Sequence, residues 1–110
     1  VILADQGKAA EAVAAFESLV QDFPELPEPY NNLAVLLAAQ GRYEQARTLL
    51  QRAIDAQPNY VTAYENLGDL HIALAADAYQ RGARIAPNDA DLARKLALAR
   101  EIGSKLRAAR

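Results

Sequence analysis

The stretch EPYNNLA at 28–34 recurs 34 residues later as TAYENLG at 62–68. Pro24 recurs with the same offset as Pro58, whereas the next proline of the series, Pro87, follows after only 29 residues. A fixed period of this size is typical of stacked helical repeats, because each helix pair buries its apolar face only against its neighbours. The sequence therefore predicts an all-α repeat fold with a shortened third unit.

Apolar spacings of three and four residues, together with glycine and proline, place the first helices. Val1 to Asp5 resembles the last turns of a helix, and we expect Gly7 to end it in a left-handed conformation. Further helices are predicted over 9–22, from Pro27 to about Gln40, and over 43–56. A residue before proline is pushed out of the helical region, which favours helix ends before Pro24 and Pro58.

The third unit has no turn between its two predicted helices. Residues 69–81 contain no Gly, Pro, Asn or Ser, and the polar residues continue in helical phase from Thr62 to Arg84. This pattern predicts one helix from about Val61 to Ala86, roughly 39 Å long at about 1.5 Å per residue. The alternative is that a disordered turn after Leu74 has been closed up in the sequence as given.

A final helix is predicted from Ala90 to Ile102 or beyond, capped by Asn88 or Asp89. Residues 1–80 carry a net charge of −7 and residues 81–110 a net charge of +5. The tail cations are Arg94, Lys95, Arg100, Lys105, Arg107 and Arg110. No aromatic residue follows Tyr79, so a stacking platform for bases is missing and we expect a solvated end face, not nucleic-acid binding.

Catalytic and metal-binding constellations are missing from the sequence. There is no cysteine, no nucleophile beside a base, no glycine-rich phosphate loop and no cluster of metal ligands. We therefore expect no enzyme activity, cofactor or metal. A separate observation is that no apolar run approaches the roughly 20 residues that a membrane-spanning helix needs. The single histidine, His71, is interpreted as core or interface packing. The compartment, cytoplasm or bacterial periplasm, stays open.

The second unit resembles the tetratricopeptide repeat, whose pattern runs from an aromatic residue through a Gly-x-Tyr turn to a closing proline. The matching residues are Tyr30, Leu33, Ala34, Gly41, Tyr43, Ala46, Leu50, Ala53 and Pro58. The resemblance implies a right-handed α-solenoid forming a single domain over 1–110. Its expected parts are a partial first repeat (1–24), a second repeat (25–58), a shortened third repeat (59–87) and a capping helix (88–110).

The resemblance also implies a concave groove that binds a peptide of a partner protein. The residues expected to line it are Glu28, Asn31, Asn32, Val35, Ala39, Thr62, Glu65, Asn66 and Asp69, with Ala73 beyond them. Asn32 and Asn66 are equivalent and resemble the asparagine ladder with which some family members hold a peptide backbone. The expected groove lacks the cations that clamp a carboxylate, and its acidic residues favour a basic or neutral partner.

A second hypothesis follows from the missing turn. Without it, residues 75–86 cannot fold back on residues 69–74, so the apolar side of this helix half needs another cover. A second copy of the chain provides one by exchanging this arm, since shortened hinges favour swapping. The expected dimer interface comprises Ala75, Ala78, Tyr79, Ala83 and Ala86.

Overall fold

The computed structural model describes the backbone of residues 2–109 and the side chains of residues 6–109, so predictions for Val1 and Arg110 lie outside it. Within these residues the chain is all-α, as predicted, and contains no strand. Two compact units are formed, residues 1–67 and residues 68–110. The helices are α1 (Ile2–Asp22), α2 (Pro27–Ala39), α3 (Tyr43–Ala56), α4 (Val61–Ile85) and α5 (Ala90–Ala108).

The turn between α2 and α3 is closed by a glycine in the left-handed region. Gly41 has a φ of 78°. Its N–H donates to the carbonyl of Ala38 (3.0 Å), and the N–H of Arg42 donates to that of Leu37 (2.9 Å). This pair of bonds is a Schellman motif, which satisfies the last carbonyls of α2 and reverses the chain. A glycine is required because a Cβ is disfavoured at this backbone conformation.

The predicted break at Gly7 is wrong, because α1 runs through it from Ile2 to Asp22. Gly7 has no positive φ and lies among strong helix formers such as Ala9 and Ala10. A glycine ends a helix only where the following residues bond back to its last carbonyls, and here the helical bonds continue.

The core of the first unit lies between α2 and α3. From α2 it buries Tyr30, Leu33, Ala34 and Leu37, and from α3 Ala46, Leu50, Ala53 and Ile54, all 8% exposed or less. The alanines at this contact allow the helix axes to approach, while each large side chain contributes about 1.5–3 kcal/mol by leaving water. Helix α1 also packs on α2. Sequence-adjacent helices are thus packed on one another, as the repeat pattern predicts.

The prediction of one long helix in the third repeat is confirmed by α4, which extends over 25 residues. It continues through the position at which α2 turned, because its sequence contains no residue there that favours a turn. None of the described helices combines the length and apolarity needed to cross a membrane.

In the second unit α5 packs antiparallel to the end of α4. Leu92 lies against Gly82, where an added Cβ would approach its Cδ2 to 3.0 Å, and Ile72 lies near Gly103. Leu96 and Ala99 are the buried residues of α5. As predicted, Asp89 caps α5, its carboxylate accepting a bond of 3.0 Å from the N–H of Leu92.

Candidate functional site

A side-chain hydrogen bond joins α2 to the first turns of α4. The Nδ2 amide of Asn66 donates to Oδ1 of Asn31 at 2.9 Å. Among the described residues of the first unit, Asn31 is the polar residue that is buried, with 4% of its surface exposed. Asn66 is half-buried. Because burying an amide oxygen without a partner is costly, this bond fixes the register of the two helices.

Exposed side chains surround this bond on both helices. Residues three or four positions apart share a helix face, so Glu28, Asn32 and Val35 lie on the α2 face that carries Asn31. Thr62 and Glu65 occupy the matching face of α4. All five are exposed, and so is Ala39 at the end of α2. We call the surface formed by Glu28, Asn31, Asn32, Val35, Thr62, Glu65 and Asn66 the α2–α4 surface.

The α2–α4 surface is acidic. Glu28 and Glu65 are its charged residues, and it includes none of the basic side chains of the first unit. The negative charge of Glu28 also affects the half-buried phenol of Tyr60. Burial, and secondarily the nearby charge of Glu28, raise the pKa of the Tyr60 phenol, because both disfavour phenolate. A carboxylate beside a phenol and free amides is suited to holding a cationic or neutral polar group.

The structure brings together seven of the residues predicted for the groove, and it adds a hydrogen bond that was not predicted. Asn66, expected with Asn32 to bond a peptide backbone, donates one N–H to Asn31, and the ladder itself stays a prediction. Asn32 is exposed. Asp69 and Ala73 belong to the second unit, where both are half-buried. The repeat offset of 34 residues did not reveal this bond, because it depends on the register between two helices.

A second pair of hydrogen bonds repeats with the sequence period. The hydroxyl of Tyr30 donates to the carbonyl of Pro24, and that of Tyr64 to the carbonyl of Pro58, each at 2.9 Å. Both bonds tie the first turn of a helix to the turn before it. Their surroundings differ sharply, since Tyr30 is 5% exposed and Tyr64 49%.

The greater exposure of Tyr64 relative to Tyr30 is shared by the residues that follow Tyr64 along α4. Leu67 is only half-buried in the first unit, and Gly68 and His71 are exposed in the second, whereas the α2 equivalents Leu33, Ala34 and Leu37 are buried. Gly68, whose equivalent Ala34 lies at the close contact of α2 and α3, has nothing within 4 Å of an added Cβ, so a close helix contact expected there is not found. His71 is not in the core, and its interpretation as an interface residue stays a prediction. The physical reason is that no helix turns back over this face, as α3 does over α2.

The residues predicted for a dimer interface lie in the second unit. Ala75, Tyr79 and Ala83 are half-buried, whereas Ala78 and Ala86 are exposed. In the described residues no group of three or more His, Asp and Glu side chains is arranged to hold a metal ion.

The fold and these surfaces define a helical-repeat protein. A tetratricopeptide repeat family model matches residues 3–70, well over half of the chain. The chain belongs to the tetratricopeptide repeat family, whose repeats generally mediate protein–protein interaction and are typically not enzymatic.

Two curated relatives are similar to the chain. A TPR repeat-containing thioredoxin of Arabidopsis thaliana, TTL4, is 33% identical over 93 residues, covering 81% of this chain and 14% of the relative. The TPR repeat-containing protein YvcD of Bacillus subtilis (strain 168) is 36% identical over 69 residues, covering 63% and 12%. The chain thus spans a small part of the length of either relative.

The Asn31–Asn66 bond generates a stability prediction. Replacing Asn66 with Ala leaves the buried oxygen of Asn31 without its donor, so the free energy of unfolding should fall by about 1–2 kcal/mol. The control is Asn32→Ala, which removes the same amide from an exposed position and should stay within about 0.5 kcal/mol of wild type. Urea unfolding followed by circular dichroism measures both. Equal losses in the two variants would contradict a structural role for the bond.

Proposed function

We propose that the chain is a scaffold that binds an extended segment of a partner protein on the α2–α4 surface. The observation that carries this proposal is the Asn31–Asn66 bond, which holds two neighbouring helices so that their exposed polar faces adjoin. Resemblance to other repeats of the family supports the choice of this side of the helices.

The amides on this surface suit a backbone ligand. The side-chain amide of Asn66 donates one N–H to Asn31, which leaves its carbonyl oxygen and its second N–H for other partners. Asn32 is exposed and forms no hydrogen bond with another described side chain or backbone group. An extended peptide presents unpaired N–H and C=O groups along its length, so these amides can pair with it.

The charge of the surface sets the preferred partner. Glu28 and Glu65 attract a basic residue and repel an acidic one, which favours a basic or neutral peptide. Both residues are exposed, so their contribution acts mainly on partner choice and decreases with salt.

A pair of probe peptides tests the proposal. The two extended peptides have about nine residues and differ only in carrying Lys or Glu at every third position. We expect the Lys peptide to bind and the Glu peptide to bind at least about tenfold more weakly. Asn32→Ala should weaken the Lys peptide about fivefold, the equivalent of roughly 1 kcal/mol. Isothermal titration calorimetry at low and high salt measures the affinities.

The matched controls are charge reversals. Glu28→Lys with Glu65→Lys should reverse the preference between the two peptides, whereas Glu11→Lys, an exposed reversal on α1, should leave it unchanged. Equal affinity for both peptides, or an equal effect of the Glu11 variant, would refute the α2–α4 surface as the binding site.

A second candidate function is assembly, in which residues 75–86 are exchanged between two copies. The observation that favours it is the contrast between Tyr30 and Tyr64, 5% and 49% exposed. The α4 face around Tyr64 carries the side chains of a paired helix but has no helix folded back on it.

The chain also contains a segment of the right pattern to cover that face. Counting back from the prolines Pro58 and Pro87, Ala46, Leu50 and Ala53 of α3 correspond to Ala75, Tyr79 and Gly82 of α4. The small–large–small pattern that packs α3 on α2 is therefore present within 75–86. The missing turn keeps it from returning onto its own helix. In the exchange a second copy supplies it, and α5, whose Leu92 lies against Gly82 in the single chain, leaves that position.

Gly68 provides the test of exchange. A Cβ there meets nothing within 4 Å, so Gly68→Leu leaves the monomer intact, but a leucine would stand between α4 and an incoming helix. We expect the dissociation constant of the dimer to rise about tenfold or more. Gly7→Leu, at another open helical glycine, is the control. Sedimentation velocity over a concentration series measures both variants.

A second variant restores the turn. Inserting the sequence of residues 39–43 after Leu74 should let residues 75–86 fold back and release monomers. A wild-type chain that stays monomeric at millimolar concentration, or a dimer unaffected by this insertion, would exclude exchange while leaving the peptide-binding proposal intact.

A further inference from the structure

An open cleft lies on the first unit, formed by α1, α2 and α3. Its volume is about 750 Å³, within the range of roughly 300–1,000 Å³ seen for ligand sites. The floor is Leu33 and Leu37 of α2, and apolar side walls are provided by Val20 of α1 and Leu49 of α3. We call it the α1–α3 cleft. It shares no residue with the α2–α4 surface.

The charges at this cleft differ from those of the unit around it. Residues 1–67 hold four basic and nine acidic side chains. Two of the four basic residues, Arg42 and Arg52, line the cleft, whereas Glu17 is the one acidic residue among the lining. Both arginines are exposed, and neither forms an ion pair in the described part of the chain. The nearby Arg47 is instead paired with Glu44, at 2.7 Å.

The walls indicate the conformation of an occupant. They are helices, whose backbone N–H and C=O groups are bonded internally, so an occupant can pair only with side chains such as Gln21 and Gln45. A helix satisfies its own backbone and needs only an apolar face, which the half-buried Val20 and Leu49 provide. Arg42, the N-cap residue of α3, and Arg52 within α3 are ten positions apart in the sequence. Ten positions span about 15 Å along a helix, which corresponds to nearly three turns of a docked helix.

We infer that the α1–α3 cleft binds an acidic amphipathic helix of a partner protein. The apolar face of that helix lies between Val20 and Leu49, above the nearly buried Leu33 and Leu37. Its acidic flank faces Arg42 and Arg52. This inference goes beyond the proposed function and does not depend on it, because it assigns a different face, an opposite charge and a different ligand conformation. A scaffold with both surfaces joins two partners at once.

Two labelled, end-capped peptides of about 16 residues serve as probes, with leucines spaced to form one helix face. The polar positions are Glu in one of these helical probes, the helical Glu peptide, and Lys in the other, the helical Lys peptide. Fluorescence anisotropy with the full chain should show binding of the helical Glu peptide, with an affinity that falls as salt rises. The helical Lys peptide should bind about tenfold more weakly. Failure of the helical Glu peptide to bind at about 1 mM overturns the inference.

Charge reversals at the N-cap of α3 and within α3 locate the site. Arg42→Glu with Arg52→Glu should weaken the helical Glu peptide about tenfold, while Arg47→Glu, on the same helix outside the cleft, should change it less than about twofold. Circular dichroism checks that each variant is folded. Equal losses for the Arg47 variant and the double variant would overturn the inference.

A photocrosslinker provides an independent readout. Benzophenone placed at Gln45, which lines the cleft, should capture the helical Glu peptide, and at Gln51, which bonds Asp55 instead, it should not. Equal capture at both positions contradicts the assignment. Asn32→Ala, which should weaken the extended Lys peptide on the α2–α4 surface, should leave binding of the helical Glu peptide unchanged. This result separates the inference from the proposal for the α2–α4 surface.

Discussion

The structure depends on whether a helix turns back onto the one before it. In the second repeat the turn at Gly41 allows α3 to fold over α2, and the aromatic, leucine and alanine positions of the repeat become buried. In the third repeat α4 continues, and the equivalent positions from Tyr64 to His71 stay open or half-covered. The same repeat chemistry thus yields a core in one unit and an accessible face in the next. Since buried apolar area provides most of the stability of a small domain, that open face costs the chain stability unless a partner covers it.

Much of the fold could be predicted from the sequence because its signals are local. The turn at Gly41, the cap at Asp89 and the absence of turn residues over 69–81 were each visible in the printed residues. Gly7 shows the limit of this approach, since the same residue type lies inside a continuous helix. Whether a glycine takes a positive φ depends on the hydrogen bonds formed by the residues around it, which composition does not specify.

The candidate sites were less predictable, because they depend on how helices meet. The groove residues were predicted from the family resemblance, whereas the bond between Asn31 and Asn66 follows from the register of α2 against α4. His71 was assigned to the core or an interface because it lies on the apolar side of its helix, but an apolar side is buried in the chain itself only when another of its helices covers it. The α1–α3 cleft left no signal in the sequence, since it arises from the spacing of two helices that both pack on α2.

The surfaces of the first unit are chemically distinct. The α2–α4 surface presents amides and carboxylates, which suit an extended basic or neutral chain, whereas the α1–α3 cleft presents an apolar floor between arginines. The open face around Tyr64 adds a third surface, aromatic and small-residue in character, which suits a helix packed at close range. Each of these surfaces follows from the placement of α2 between its neighbours or from the missing turn.

The continuity of α4 is the central claim, and backbone NMR tests it most directly. The carbon chemical shifts and amide–amide contacts of residues 68–78 should be helical without interruption, while the same spectra show a break at residues 40–42 as an internal reference. A run of non-helical shifts between positions 70 and 76 would show that the third repeat turns as the second one does, and would contradict the account.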